Sequence, residues 1–194
     1  MTKTRIGILI SGRGSNMAAL IKAAEAADYP AEIAVVISNR PYAAGLEFAK
    51  SHGIPAICVD HKLFADKTSF EAQLAATLLS HKVEVIALAG FMRVLSAEFI
   101  AHFAGRIVNI HPSLLPQFKG LHTHERALSE GVSEHGCTVH LVTAELDDGP
   151  ILAQARVAVL PNDTVDSLSA RVLEQEHIIY PQALAEFCTQ NVQP

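Results

Sequence analysis

The fold is decided by the stretch RIGILISGRGSN, which runs from Arg5 to Asn16. Its nearly continuous apolar run up to Ser11 predicts a strand that is buried on both faces. Two glycines follow, at positions 12 and 14, and a helix is predicted to begin at once, since Ser15 and Asn16 are common helix-start residues. A strand, a glycine turn and a helix in this order begin a βαβ unit, from which parallel sheets are built.

The same alternation continues along the chain, because short runs rich in Val and Ile are separated by segments of helical period. The predicted strands are Arg5–Ser11, Ala31–Ser38, Pro55–Val59, Val83–Ala89 and Arg106–Ile110. The predicted helices are Asn16–Ala27, Ala43–His52, Ser69–His81 and Ala97–His102. The pattern predicts an α/β fold with an open, mostly parallel twisted sheet of Rossmann-like type and helices on both faces.

The pattern changes after the fifth strand. A proline-bearing loop, His111–Gly120, leads to a short helix at His124–Glu130 and then to two long strand-like segments, Cys137–Thr143 and Ile151–Val159. A final helix is predicted behind Asp163 and Thr164, either of which can cap it. No repeat, low-complexity tract or linker divides the sequence, so we expect one domain over residues 1–194.

Composition narrows the classes of function. The chain has 194 residues, of which 49% are hydrophobic and 18% charged, as expected for one sizeable core. Its 15 Lys and Arg against 20 Asp and Glu give a net charge of −5 without a basic run, so we expect no nucleic-acid partner. No apolar run approaches the roughly 18 to 20 residues of a membrane span, and no secretion signal is recognised. We therefore expect a cytoplasmic protein without membrane contact.

Cysteines and histidines give little support for a disulfide or metal site. Cys58, Cys137 and Cys188 are far apart without a C-x-x-C pair, so all three are predicted to be buried or half-buried thiols. The ten histidines leave a metal-dependent hydrolase as a remote alternative. Its candidate ligands would be His111, His122, His124 and His135. No H-E-x-x-H helix accompanies them, so we expect no metal.

The glycine turn after the first strand predicts an anion site, because glycine-permitted backbone and a helix N-terminus meet there. A dinucleotide fingerprint would place a third glycine where Met17 stands and an acidic residue where Ser38-Asn39 closes the second strand. A small phosphate therefore fits better than a dinucleotide. A turn that needs glycine for its geometry alone remains the structural alternative.

A second candidate site follows the fifth strand. Strand alternation puts Ile107, Asn109 and His111 on one face and Val108 and Ile110 on the other. The carboxyl ends of parallel strands form the ligand crevice of an open sheet, so an amide and an imidazole placed there would face a substrate. The structural alternative is that both groups only satisfy loop backbone.

Two carboxylate positions remain ambiguous from the residues alone. Turn chemistry explains Asp147 and Asp148 equally well, because both belong to a Leu-Asp-Asp-Gly-Pro turn. Glu176 interrupts the apolar face of the last helix and needs a partner, either a basic residue or the hydroxyls of a ligand.

Five motifs, taken in order, resemble those of the folate-dependent phosphoribosylglycinamide formyltransferases of purine synthesis. They are SGRGSN, LAGFMRVLS, RIVNIHPSLLPQFKGLHTHERAL, GCTVHLV with ELDDGPIL, and EQEHIIYP. The likeness runs from about Arg5 to Phe187. It implies the formyltransferase fold, with an antiparallel addition near the C-terminus. It also implies transfer of the formyl group of 10-formyltetrahydrofolate, the cosubstrate, to the amine of phosphoribosylglycinamide, without a metal.

The resemblance also implies roles for individual residues. The catalytic residues would be Asn109, His111 and Asp147. The ribonucleotide would be bound by Gly14, Ser15, Asn16 and Glu176. The folate would be bound by Lys67, Met92, Arg93, Val94, Leu95, Asn109, Thr143, Ala144, Glu145, Leu146 and Asp147. The N-terminal half would thus hold the ribonucleotide phosphate, and the C-terminal half the folate and the catalytic groups.

The chain departs from the family pattern at two folate positions. Ala144 stands where relatives usually have an acidic residue, although backbone contacts are expected there. Lys67 stands where some relatives have Arg, and a lysine cannot hold a carboxylate with the forked geometry of a guanidinium.

The chemistry agrees with the implied catalytic set. Attack by a neutral amine develops negative charge on the formyl oxygen, for which the Asn109 amide and a protonated His111 are suitable donors. An anionic Asp147 would favour the imidazolium, and it could relay protons through water from the amine to the leaving nitrogen.

Besides the remote metal-dependent hydrolase, three competing functions remain. Formyltetrahydrofolate hydrolases use a similar Asn, His and Asp set, but they carry an additional N-terminal domain, for which 194 residues leave no room. Methionyl-tRNA formyltransferases carry a basic C-terminal domain that is not recognised here. A non-catalytic phosphate- or nucleotide-binding module would explain SGRGSN but not Asn109, His111 and Asp147. We expect a transferase that acts on small molecules as a monomer or homodimer.

Overall fold

The computed structural model describes residues 2–191, and the seven strands in this range form one sheet. The strands are β1 (Thr4–Ile10), β2 (Ala31–Ser38), β3 (Ala56–Cys58), β4 (Val85–Leu88), β5 (Ile107–His111), β6 (Glu134–Leu141) and β7 (Ile151–Ala158). Their order across the sheet is β3-β2-β1-β4-β5-β6-β7. The first five strands are parallel, whereas β6 and β7 are antiparallel to their neighbours. The predicted fold class is therefore confirmed, including the antiparallel addition.

Six α-helices lie between and after these strands in the described range. They are α1 (Ser15–Ala24), α2 (Ala44–Ser51), α3 (Lys67–Ser80), α4 (Ala97–His102), α5 (Thr123–Glu130) and α6 (Val165–Asn191). A 3-10 turn occupies His61–Leu63. Each predicted element is present, with most ends shifted by one to three residues. Thr164 is the cap of α6, since its hydroxyl accepts the Ser167 N–H, while Asp163 pairs with Arg171.

The sheet separates two apolar cores. One core packs against α1, α2, α5 and α6 and takes Val108 and Ile110 from β5. The other packs against α3 and α4 and takes Ile107. The predicted alternation of β5 is thus confirmed. The hydroxyl of Tyr180, which is fully buried on α6, bonds the carbonyl oxygens of Leu88 and Val108 and ties this helix to β4 and β5.

The cysteine prediction is wrong for one of the three thiols. Cys137 and Cys188 are buried, but Cys58 is exposed. Cys58 ends β3, a three-residue strand at the edge of the sheet that has a neighbour on one side only. A separate finding concerns the helices: in the part of the chain that the structure describes, none has the length and apolar character of a membrane span.

Candidate active site

Strand β5 presents Asn109 and His111 to one buried polar cluster. Asn109 Nδ2 lies 3.1 Å from Nε2 of His140, its partner across the β5–β6 pair. His111 Nδ1 lies 3.4 Å from a carboxylate oxygen of Asp147, and His140 Nε2 lies 3.8 Å from the other. The sheet therefore brings an amide, two imidazoles and a carboxylate together at one place.

Asp147 and Asp148, which the residues alone do not separate, point to different environments. The Asp147 side chain is 10% exposed, faces His111 and His140, and accepts the Gly120 N–H at 2.9 Å. Asp148 is 53% exposed and pairs with Lys119. Only Asp147 is placed to act on a group beside His111.

The loop that carries Asp147 depends on unusual backbone. Asp147 has a φ of +49°, in the left-handed region that Asp and Asn tolerate best among residues with a Cβ. A Cβ at Gly149 would lie 1.7 Å from the Leu141 carbonyl oxygen, so only glycine permits this close return. Conformations of this kind persist where the surrounding structure holds them, and they often occur at functional sites.

His140 is a member of the cluster that the sequence reasoning missed. Its Nδ1–H donates to the Leu141 carbonyl at 2.9 Å, and burial lowers the pKa of its ring. The neutral ring therefore presents Nε2 as an acceptor, and Asn109 donates one amide hydrogen to it. The available signal was the position of this histidine within the apolar strand motif GCTVHLV.

His111 makes a second contact, with the proline-bearing loop. Its Nε2 lies 3.0 Å from the Phe118 carbonyl oxygen, so this nitrogen carries a hydrogen and donates. His111 is 6% exposed, and its imidazole is held from two sides, by the loop and by Asp147. Its orientation is thus fixed by groups that are distant in sequence.

The predicted phosphate site lies where β1 meets α1. Gly14 has a φ of +74° and precedes the helix without any side-chain cap, so the first N–H groups of α1 are left for an anion. Asn16 Nδ2 donates to Glu176 at 2.6 Å, while the Asn16 oxygen is buried without a partner. The structure therefore brings Gly14, Ser15, Asn16 and Glu176 together.

Glu176 has no basic partner within the described residues, so its carboxylate pairs with an amide. Burial raises the pKa of the Glu176 carboxyl, and the Asn16 hydrogen bond lowers it by less. The folded protein therefore favours the protonated form of Glu176 more than the unfolded chain does. As a result, the free energy of unfolding falls as pH rises from the ordinary pKa of a glutamate through the raised pKa of the folded state. A buried carboxylate that lowers stability and has no basic partner is suited to accept hydrogen bonds from the hydroxyl groups of a ligand.

Replacing Glu176 by Gln should separate stability from binding. The glutamine oxygen can still accept the Asn16 amide hydrogen without a buried charge, so we expect the free energy of unfolding at neutral pH to rise by about 1 kcal/mol. The KM for the ribonucleotide that the resemblance implies should rise by about 10-fold, because a charged acceptor is lost. Denaturant titration and steady-state kinetics measure the two effects, and unchanged ribonucleotide KM would contradict the assignment.

The proposed folate segment, Met92, Arg93, Val94 and Leu95, follows β4. Met92 and Val94 are exposed, Leu95 is buried, and the Arg93 guanidinium lies 5.6 Å above the Phe70 ring. Lys67 begins α3, and its Nζ lies 3.9 Å from Glu71. Exposed apolar groups next to a cation are suited to an aromatic ligand that ends in a carboxylate.

The second folate stretch, Thr143, Ala144, Glu145, Leu146 and Asp147, forms the loop between β6 and β7. The Thr143 hydroxyl donates to the Glu145 carbonyl at 3.3 Å, and Leu146 is exposed. Asp147 at its end joins the polar cluster, so this loop connects the proposed folate residues to the proposed catalytic ones.

Two of the metal candidates contact each other. His135 Nε2 lies 3.1 Å from His124 Nδ1. Burial and the neighbouring His124 and His111 lower the pKa of His135 to about 4. Across residues 2–191, no three His, Cys, Asp or Glu side chains are grouped as metal ligands.

The lowered pKa of His135 predicts that the folded protein loses stability in acid. Its pKa is lower in the folded protein than in the unfolded chain, so stability is lost as pH falls from about 6.5 toward the folded value. In the His135→Asn variant, the free energy of unfolding that is lost over this pH range should be smaller than in the wild type by about 1 to 2 kcal/mol. Denaturant titrations from pH 7 to pH 4 measure the difference, and parallel curves for the two proteins would contradict it.

Comparisons with known proteins agree with this geometry. Residues 4–184 match the family described as formyl transferase. The phosphoribosylglycinamide formyltransferase of Escherichia coli is 44% identical over 182 residues, which is 94% of this chain and 86% of that protein. The crystal structure of phosphoribosylglycinamide formyltransferase from Brucella melitensis has a TM-score of 0.94 and 53% identity, covering 99% of both chains. The trifunctional purine biosynthetic protein adenosine-3 of Drosophila melanogaster is 48% identical over 185 residues, and this chain spans 14% of its length.

Proposed function

The chain belongs to the formyl transferase family, and we propose that it transfers the formyl group of 10-formyltetrahydrofolate to the amine of phosphoribosylglycinamide in purine biosynthesis. The observation that carries the proposal is the cluster of Asn109, His111 and Asp147. Asn109 and His111 lie on β5, next to β4, the strand that leads into residues 92–95. Asp147 lies on the loop proposed for the folate. The family match alone does not specify the acceptor, for which the relatives' names and the phosphate site are the support.

The reaction makes one C–N bond and breaks another. The amine nitrogen attacks the formyl carbon, the amine loses a proton, and the bond from that carbon to N10 of the folate breaks. N10 takes up a proton, which gives the formylated ribonucleotide and tetrahydrofolate. The folate supplies the activated one-carbon unit, so the protein has to position two substrates and stabilise charge on the formyl oxygen.

Asn109 is suited to stabilising that oxygen. One hydrogen of its amide goes to His140, which fixes the plane of the amide and leaves the second hydrogen free to donate. A donor held in place before the reaction stabilises a developing oxyanion without reorganisation. His140 is thereby assigned a positioning role.

His111 and Asp147 are proposed to handle the charge and the protons. An imidazolium at His111 can donate to the formyl oxygen, and the Asp147 carboxylate at 3.4 Å balances its charge. Because His111 Nε2 donates to the Phe118 carbonyl, that nitrogen can serve the formyl oxygen only if the carbonyl is displaced. We therefore expect the loop at residues 112–120 to shift when the folate binds.

The two substrate sites draw on both halves of the chain. The phosphate would bind the first N–H groups of α1, and the ribose hydroxyls would bind Glu176 from α6. The folate would lie against residues 92–95, Lys67 and the 143–147 loop. We expect this single domain to act as a monomer or homodimer in the cytoplasm.

A spectrophotometric assay of tetrahydrofolate release tests the proposal. We expect release from 10-formyltetrahydrofolate only when phosphoribosylglycinamide is present. Release at the same rate without the ribonucleotide would indicate a hydrolase. No release under either condition would indicate a binding protein.

A further inference from the structure

Residues 91–96 form neither a helix nor a strand, so their backbone depends on other groups for hydrogen bonds. Two such bonds come from side chains on distant elements. The Met92 N–H donates to the Ser11 hydroxyl at 2.7 Å, and the Ser96 N–H donates to Glu71 at 2.8 Å. The proposed folate segment thus lies between two side-chain anchors.

The first anchor, Ser11, directly follows β1 and is 3% exposed. Its hydroxyl donates to Asn39 Oδ1 at 2.6 Å, so its lone pair is directed to the Met92 N–H. Asn39 is also buried, which fixes the direction of this hydroxyl. The hydrogen bonds of the Ser11 hydroxyl thus go to Asn39 and to the proposed folate segment, and not to the glycine turn at Gly14.

The second anchor, Glu71, lies on α3 and is 6% exposed. Its carboxylate accepts both the N–H and the hydroxyl of Ser96. Ser96 in turn caps α4 by accepting the Phe99 N–H at 3.1 Å. Burying a carboxylate destabilises the fold unless the carboxylate is hydrogen-bonded. Here its hydrogen bonds hold Ser96, the residue that directly follows the proposed folate segment.

We propose that Ser11 and Glu71 are positioning residues that hold residues 92–95 in the conformation that binds the formyl donor. The inference rests on the proposed function, because it takes this segment as part of the folate site. Neither side chain is assigned to the reacting atoms. Loss of either anchor should therefore weaken donor binding, since the segment must be ordered when the folate binds, and should leave the chemical step intact.

Ser11→Ala tests the first anchor. We expect the KM for 10-formyltetrahydrofolate to rise by about 5- to 10-fold, the effect of losing the hydrogen bond to the Met92 N–H, with kcat and the ribonucleotide KM unchanged. Amide hydrogen exchange in residues 91–96 should become faster in the same variant. This exchange requires no substrate, so it tests the anchoring separately from the activity.

Ser38→Ala is the matched control. Ser38 is a fully buried serine at the end of the neighbouring strand β2, and its hydroxyl bonds the carbonyl and N–H of Arg40 at 2.9 and 3.0 Å. It has no hydrogen bond to the folate segment in the described structure. We expect its donor KM and its exchange in residues 91–96 to match the wild type.

Glu71→Ala and Glu71→Gln test the second anchor. The alanine variant should show the same rise in donor KM and the same faster exchange. The glutamine variant should recover most of both, because its carbonyl oxygen can still accept the Ser96 N–H. If the alanine variant fails to fold, the glutamine variant and Ser11→Ala carry the test.

Two results would overturn the inference. Unchanged exchange in residues 91–96 of Ser11→Ala would show that the hydroxyl does not hold the segment. Faster exchange with an unchanged donor KM would show that the held conformation does not matter for the donor. A wild-type protein without ribonucleotide-dependent release would instead contradict the proposed function, and the exchange result would still decide the anchoring.

Discussion

His111→Ala is expected to lower kcat by about 100- to 10,000-fold, the usual range for losing a proton-transferring or oxyanion-stabilising group. The imidazole is held between Asp147 and the Phe118 carbonyl, and its removal takes away the proposed donor to the formyl oxygen. The protein should still fold and bind the ribonucleotide, because that site lies at α1 and α6. Tetrahydrofolate release at saturating substrates measures kcat, and calorimetry measures ribonucleotide binding.

His52→Ala is a suitable control for this variant. His52 follows α2, is exposed, and stacks on Phe48 away from the polar cluster. Its turnover should equal that of the wild type. Wild-type turnover in His111→Ala itself would rule out the proposed role of the imidazole.

Asp147→Asn is expected to lower kcat by about 100-fold or more. Asparagine has nearly the same shape and also tolerates the left-handed backbone at this position, so the loop should keep its conformation. The variant loses the negative charge beside His111 and, with it, the proposed site for proton transfer. The pH profile of kcat should change with the turnover, whereas a purely structural defect would lower activity at all pH values alike.

The adjacent Asp148→Asn provides the matched control. It removes the same charge one residue further along, from an exposed side chain that pairs with Lys119. We expect near wild-type kcat and an unchanged pH profile. Equal losses in Asp147→Asn and Asp148→Asn would contradict a specific role for Asp147.

The fold was largely predictable because the alternation of apolar runs and helical segments is local. The ends of the helices and strands were less predictable, since they depend on contacts between residues that are distant in sequence. The strand predicted from Cys137 begins at Glu134, where it pairs with Ala158 on β7. The exposure of Cys58 likewise follows from the position of β3 at the sheet edge, which local sequence does not encode.

The site was predictable where strand geometry alone decides it. Alternation placed Asn109 and His111 on one face, and the structure brings them into one cluster with Asp147. The choice between Asp147 and Asp148 was beyond local reasoning, because it depends on a φ value and on contacts with another strand and loop. His140 was missed for the same reason, since its role comes from pairing opposite Asn109.

The side chains proposed to anchor residues 92–95 could also not be predicted from sequence patterns. Ser11 and Met92 are 81 residues apart, and Glu71 and Ser96 are 25 apart. Both pairs join an ordinary polar side chain to a backbone N–H, and Glu71 also accepts the Ser96 hydroxyl; contacts of this kind carry no sequence motif. Only the arrangement of β1, β4 and α3 brings them together.

The most direct test of the central claim follows the formyl group itself. The wild-type protein is given 10-formyltetrahydrofolate with an isotopically labelled formyl carbon, together with phosphoribosylglycinamide, and the products are separated by mass. We expect the label on the glycinamide nitrogen in an amount equal to the tetrahydrofolate released, and we expect Asp147→Asn to form this product far more slowly. Label recovered as free formate, or transfer by Asp147→Asn at the wild-type rate, would contradict the account.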